Sequence, residues 1–320
     1  MKRFVLTLTA LTSLSRSAVG QIAPAADHHQ HLFSPAMSAL LTTDSVKFPP
    51  LTARDLIPLL DSAGIRRAVL LSTAYIYSSP RRTVDDEYAK VRAENDWTAA
   101  QAAEYPDRLR AFCGLNPLKD YALQELERCA GDSRLSHGIK LHLGNSDVQL
   151  DNPEHVEQLR RVFRAANQHR MAIVVHMRAS ISRKRPYGAR QARIFLDQLM
   201  PVVPDIPVQV AHMAGTGPGY DDPPADSAMA VLAQAVEKRE RGTARLWFDV
   251  TTVADENISP ANAALLVKRI RQLGVSRVLY GSDAAVEGNT PQKGWAASRR
   301  LPLTEQEFRT IATNQAPYLR

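Results

Sequence analysis

Short apolar, β-branched runs alternate with longer amphipathic stretches along almost the whole chain. The runs are "APAADHHQHLF" near the front, "RRAVLLST" from Arg66, "LRAFCGL" from Leu109, "HGIKLHL" from His137, "MAIVVHM" from Met171, "IPVQVAHM" from Ile206, "ARLWFDVTT" from Ala244 and "SRVLYGSD" from Ser276. Segments such as "AIVV" are apolar at every position. Strands of that kind need cover on both faces, which is the situation inside a parallel sheet. The stretches between them repeat at helical spacing. In "DNPEHVEQLRRVFRAANQ" Asn152 is placed to cap free amides, Pro153 suits the first turn, and Val156, Leu159, Phe163 and Ala166 form one apolar stripe. "SPANAALLVKRIRQLG" repeats the plan, with Ser259 as cap, Pro260 in the first turn and Gly274 as the stop. Strand, helix-length crossover and strand, repeated eight times, predicts a single-domain (β/α)8 TIM barrel. The rival is a doubly wound open sheet, which usually carries a glycine-rich phosphate turn after its first strand; no GxGxxG is present.

The first twenty residues stand apart from this pattern. Lys2 and Arg3 precede an apolar stretch from Phe4 to about Leu14, with small residues at Ala18 and Gly20, the layout of a cleaved secretory signal. The expected division is therefore a signal peptide over 1–20 and one barrel domain over 21–320, with a periplasmic or secreted mature protein. Removing Lys2, Arg3 and Arg16, three positive charges with no acid among them, lowers the formal charge from +7 to +4. That excess is too mild for a nucleic-acid binder, and basic residues in "VEKRERG" alternate with acids as on a solvated helix face. No later segment has the unbroken apolar length of a membrane span. Cys113 and Cys129 are too few for a cysteine-based zinc module; one falls in a strand and the other near a helix end, so two separate buried thiols are expected.

Three of the nine histidines fall within four positions, in "DHHQHLF". Alternation puts His29 and His31 on one face of a strand and His28 on the other, so the outer pair forms a two-toothed chelate with His28 behind it. Alone, that pair reads equally well as a stray polar cluster. His176, His212 and Asp283 change the balance, because each falls at the carboxyl end of its own strand, where a parallel barrel builds its active site. Four histidines and an aspartate converging from different strands are costly to bury without partners.

These motifs resemble the amidohydrolase superfamily, in particular its family-2 branch of amidohydrolase-related domains: "HQH" on strand one, "VVHM" on five, "VAHMAG" on six, "YGSD" on eight, and a closing "TNQAPYL". The resemblance runs from about Asp27 to Leu319. It implies that His29, His31, His176 and Asp283 hold one divalent ion, zinc most often, with a position open for water. It implies that Asp283 exchanges protons with that water and that His212 acts as acid, base or carbonyl polariser. In two-metal members His212 is itself a ligand, and a carboxylated lysine on strand four bridges the ions. Lys140 is the matching position here, with an ordinary ammonium as the other reading; one ion is favoured over two. His142 shares the face of Lys140, and the loop from Gly144 to Asp147, Asn145 included, lies at the same mouth. Arg178, two positions after His176, is a candidate for holding a substrate carboxylate, with a plain salt bridge as the alternative. Asp27 and Asp249 are inward candidates for accepting the second ring proton of a ligand histidine. Tyr75 and Tyr77 are either pocket residues or ordinary loop aromatics.

The expectation is a metal-dependent hydrolase of an amide, ester or lactone bond in a small, anionic molecule. A decarboxylase on the same barrel is the alternative, and a non-catalytic binder of metal or ligand is a third reading. A homodimer is compatible with the resemblance.

Overall fold

The computed structural model describes residues 22–286 and 288–319, so the leader expected at residues 1–20 lies outside the described residues. Eight strands follow one another around a single sheet: β1 (Ala26–Gln30), β2 (Arg67–Leu71), β3 (Leu109–Gly114), β4 (Gly138–His142), β5 (Ala172–His176), β6 (Val208–Val210), β7 (Leu246–Asp249) and β8 (Val278–Leu279). Every neighbouring pair is parallel. Two backbone bonds bring the ends of the sheet together, His28 N–H to Tyr280 O at 2.9 Å and Asp283 N–H to His29 O at 2.8 Å. The result is a (β/α)8 barrel, and all eight apolar runs of the sequence are its strands.

Helices cover the outer face. Pro153–Gln168 starts as its sequence dictates, with the Asn152 side chain accepting from Glu154 N–H, and Pro260–Leu273 starts with Ser259 accepting from Asn262 N–H and ends at Gly274, whose φ of 82° few other residues tolerate. The stripe of Val156, Leu159 and Phe163 is buried against the strands. Inside the barrel a smaller core of Val69, Leu71, Phe112, Ala172 and Val174 fills the end where the strands begin. Leu319 joins it, and Tyr318 packs against it. The "TNQAPYL" segment thus plugs the barrel floor, with Arg67 donating to Leu319 O at 2.8 Å and Asn314 donating to Val275 O and Val278 O. His28 ties this plug to the wall: its Nδ1–H donates to Tyr280 O at 3.0 Å and its Nε2 accepts from Ala316 N–H at 3.2 Å.

One expectation is corrected here. Cys113 and Cys129 are not separate thiols but a disulfide, with Cα atoms 6.3 Å apart. Cys113 belongs to the core outside the barrel wall, facing the last turn of the helix Ala122–Ala130, and that separation lies within the range a disulfide spans.

Candidate metal centre

The carboxyl ends of the strands gather the candidate residues on one rim, and the chemistry there is set by which ring nitrogen each histidine has left free. His29 Nδ1 donates to Asp249 Oδ2 at 3.2 Å, His31 Nδ1 to Leu71 O at 2.6 Å, and His212 Nδ1 to Thr251 O at 3.0 Å. Each bond puts the ring proton on Nδ1 and leaves the Nε2 lone pair pointing into the rim. Burial pushes His29 down to about 4 and His31 to about 3, so both rings are neutral at neutral pH. Their Nε2 atoms lie 3.2 Å apart.

Asp283 faces these nitrogens, with Oδ1 3.8 Å from His31 Nε2 and Oδ2 3.9 Å from His212 Nε2. Burial alone would raise its carboxyl, but His29, His212, His31 and Lys140 outweigh that and hold it below the ordinary aspartate value. Ligand atoms of His29, His212 and Asp283 all lie within 4.8 Å of one another. His176 stands beside this trio, its ring 5.1 Å from that of His212 and stacked on His142 at 3.8 Å. Its Nε2 is buried with no hydrogen-bond partner, a state that costs free energy unless something else meets the lone pair. Imidazole nitrogens that carry no proton, beside an ionised carboxylate, are the donor set of a divalent transition-metal site, so the residues fit the ion that the sequence implies.

Lys140 reaches the same point from β4. Its side chain is fully buried, its Nζ is 3.0 Å from His29 Nε2, and burial pushes its amine down to about 8 against the pull of Asp283 and Asp249. His142 is turned the other way from the three pinned histidines. Its Nδ1 accepts from Asn145 N–H at 3.1 Å, which leaves the proton on Nε2 as a donor. The Asn145 backbone is thereby committed to His142 and, through its carbonyl, to Ser79 Oγ at 3.0 Å, and the residue lines the neighbouring cavity.

Asp249 explains how His29 is aimed. All four of its hydrogen bonds are donated to it: by His29 and by Gln209 Nε2 (2.6 Å) on Oδ2, and by the backbone N–H groups of His212 (2.8 Å) and Thr251 (3.2 Å) on Oδ1. Burial works against the ionised form, but His29, His212 and these bonds keep the carboxyl ionised far below its usual value. Tyr318 in turn donates to Gln209 Oε1, so the barrel plug is joined to the rim through Gln209 and Asp249. Gln209 escaped the sequence reading, although a lone amide inside the apolar run "VQVA" was a usable signal. Asp27 departs from its expected role. It accepts from His29 N–H (3.1 Å), Gln30 Nε2 (3.0 Å) and both the backbone and hydroxyl of Ser282 (3.1 and 2.6 Å), and from no imidazole. It holds β1 to the segment that carries Asp283, and burial raises it to about 6.

Backbone geometry at the rim is unusual. His212, Met213 and Ala214 follow one another with φ of 52°, 48° and 64°, and Asp283 has φ 65°. Left-handed conformations in non-glycine residues carry a cost that the surroundings must overcome, and they are characteristic of functional rims. Gly281 shows how tight the approach is: a Cβ there would lie 2.2 Å from Thr251 Oγ1 and 2.7 Å from His29 Cβ.

A cavity of about 290 Å³ opens over the centre, walled by His31, Lys140, His142, His176, His212 and Asp283, with Phe33, Phe48, Tyr75 and Ile76 on its apolar side. Tyr77 is buried but does not line it. Arg178 faces a second cavity and is committed elsewhere: its Nε is 2.5 Å from Asp222 Oδ2 and its guanidinium lies 4.8 Å over the Tyr187 ring.

Comparison with known proteins places this geometry. No curated protein sequence matches the chain. Among solved structures, a probable 2-pyrone-4,6-dicarboxylic acid hydrolase from Acinetobacter baumannii, with citric acid bound, shares 18% identity at a TM-score of 0.58, covering 92% of this chain and 97% of that one. A 5-carboxyvanillate decarboxylase from Sphingomonas paucimobilis shares 17% at 0.60, covering 91% and 96%. A 5-carboxyvanillate decarboxylase from Novosphingobium aromaticivorans, with bound manganese, shares 14% at 0.61, covering 93% and 97%. At these identities the likeness establishes the barrel and nothing finer. The sequence profile of the amidohydrolase family matches residues 26–314, from β1 to the residue after the last helix. The chain therefore belongs to the amidohydrolase family, whose members are metal-dependent enzymes.

Proposed function

We propose that the protein is a metal-dependent hydrolase that cleaves an amide, ester or lactone bond in a small anionic molecule. The observation that carries this reading is the set of Nε2 atoms on His29, His31 and His212, each left without a proton by an Nδ1 hydrogen bond and gathered beside the Asp283 carboxylate, with the Lys140 amine 3.0 Å from that of His29. We assign the ion to His29, His31, His212 and Asp283, which makes His212 a ligand where the resemblance gave it an acid, base or polarising role and leaves His176, whose Nε2 is unpartnered, as a further donor in place of a core ligand; zinc is taken as the ion because nitrogen-rich sites with one carboxylate suit it. When bound, such an ion polarises a carbonyl and brings the pKa of a water molecule from near 16 to roughly 7.

The protein's own groups supply the rest. Asp283, ionised and open to the cavity, takes a proton from the attacking water and hands it to the leaving group. Lys140, held in the same cavity, offers positive charge or a proton to oxygen as negative charge develops there. His142 donates from Nε2 to orient the substrate, and the apolar wall of Phe33, Phe48 and Ile76 strengthens these interactions by lowering the local dielectric. A panel of esters, lactones and amides assayed by pH-stat tests the reading. Turnover lost on chelation and restored by added zinc supports it; no turnover of any member by the loaded protein rejects it.

Decarboxylation on the same site is the second reading, supported by the decarboxylases of like fold, since a carboxylate on the substrate and Asp283 as proton carrier serve that reaction too. Carbon dioxide release from aromatic carboxylates without ester turnover would select it. Export to the periplasm or beyond is part of the same proposal, supported by the basic and apolar leader and by the Cys113–Cys129 disulfide, a bond that persists in oxidising compartments.

A further inference from the structure

We propose that the anionic group of the substrate is taken by Arg81, from the loop after β2, in the cavity beside the His142–His176 stack. The proposal rests on the reading of the site as one for a small anionic molecule and names the residue that reads the charge. That cavity, of about 420 Å³, shares His142, His176 and Thr216 with the cavity over the metal centre, so one small molecule spans both. Arg81 and Arg178 line it, and no carboxylate does among the described residues.

The arginines around this mouth divide by partner. Arg178 is bonded to Asp222, and Arg183 and Arg185 both reach Asp147, at 3.0 and 2.7 Å. Each of the three has a carboxylate partner, with Arg183 and Arg185 sharing one. Arg81 meets only hydroxyls, Ser180 Oγ at 3.1 Å and Ser182 Oγ, and has no acidic partner among the described residues. Neutral hydroxyls orient a guanidinium without neutralising it, and they leave N–H groups for a carboxylate to accept from. The three residues that lead into Arg81 are fixed: Ser79 Oγ donates to Asn145 O, Asn116 Nδ2 to Ser78 O at 2.9 Å, and Arg183 to Pro80 O at 3.1 Å. His142, with its proton on Nε2, adds a second donor on the wall common to both cavities. The substrate class that fits is a small molecule with its scissile group over Asp283 and a carboxylate directed towards Arg81. Arg178 then has a positioning role, tying the end of β5 to the segment after β6, where Tyr187 also donates to Ala214 O at 2.7 Å.

Calorimetric titration with glutarate and its neutral diamide tests this, on metal-loaded and chelator-treated protein, with Arg81→Ala and Arg81→Lys beside the wild type. The expected result is glutarate bound at least tenfold tighter than the diamide, the preference lost in Arg81→Ala and partly regained in Arg81→Lys, with diamide affinity unchanged. Equal affinities in the wild type, or an undiminished preference in Arg81→Ala, overturn the proposal. So does a preference seen only with metal bound and indifferent to Arg81. Arg81-dependent binding in a protein that turns over no ester, lactone or amide rejects the hydrolase reading and leaves this one standing; turnover with an unaltered preference in Arg81→Ala does the reverse.

Discussion

Replacing Asp249 by asparagine changes one buried atom, and its consequences can be worked from the four bonds the carboxylate accepts. Each oxygen receives two donors, His29 and Gln209 on Oδ2 and the His212 and Thr251 amides on Oδ1. An asparagine has one acceptor oxygen, so its NH2 must face two N–H groups whichever way it turns. With NH2 towards His29, the imidazole is forced to accept at Nδ1 and carry its proton on Nε2, which blocks the atom that faces the metal centre. With NH2 towards the amides, the turn through His212, already in left-handed backbone, loses the bonds that hold it. Two bonds to a charged group at about 1.5–3 kcal/mol each put the stability loss at about 3–6 kcal/mol, a large part of an ordinary domain's total. Metal affinity should fall about 10–100-fold, the usual cost of losing a residue that orients a ligand. Urea unfolding and competition against a chromophoric zinc chelator read the two effects. An Asp249→Asn protein with wild-type stability and wild-type zinc affinity would refute the argument that this carboxylate sets the tautomer of His29.

Other perturbations follow from the same structure. Cys113→Ser should cost about 3 kcal/mol in urea unfolding, from a loop of 16 residues no longer closed, with little added effect of reductant on the variant. Gly281→Ala should lower both thermal stability and metal content, because its methyl group would strike Thr251 Oγ1 and His29 Cβ; full metal loading in a stable variant would contradict this. Glu307 accepts from Arg271 and closes the capping box with Thr304, which lowers its carboxyl from the ordinary 4.5 to about 2. A depressed carboxyl stabilises the fold fully above pH 4.5 and ceases to as the pH falls through 2. Glu307→Gln keeps an oxygen for the Thr304 cap but loses the ion pair with Arg271, so it should lose up to about 1 kcal/mol at pH 7 and nothing near pH 2, as measured by chemical unfolding at both.

The barrel was legible because its signals are local. Apolar runs, caps at Asn152 and Ser259 and the stop at Gly274 are each decided within a few residues. The histidines and Asp283 were legible as a group because a parallel barrel sends the ends of all its strands to one face. What the sequence did not disclose depends on partners distant in the chain. Alternation makes Asp27 and Asp249 look alike, yet the register of β1 against β2 is irregular between Asp27 and Gln30, and only Asp249 meets a ring nitrogen. The three consecutive left-handed residues at His212 bring that ring against His29 and Asp283, and no propensity announces such a turn in non-glycine residues. Arg178 finds Asp222 across 44 positions, which removes the free charge that its place after His176 suggested. Cys113 finds Cys129 only because a strand and the helix that follows it pack face to face.

Anomalous diffraction at the zinc absorption edge, from crystals grown with added zinc, tests the central claim most directly. One strong peak within coordination distance of His29 Nε2, His31 Nε2, His212 Nε2 and Asp283 is the predicted result. Density for zinc only at surface histidines, with Lys140 still bonded to His29 and the rim free of metal, would contradict it.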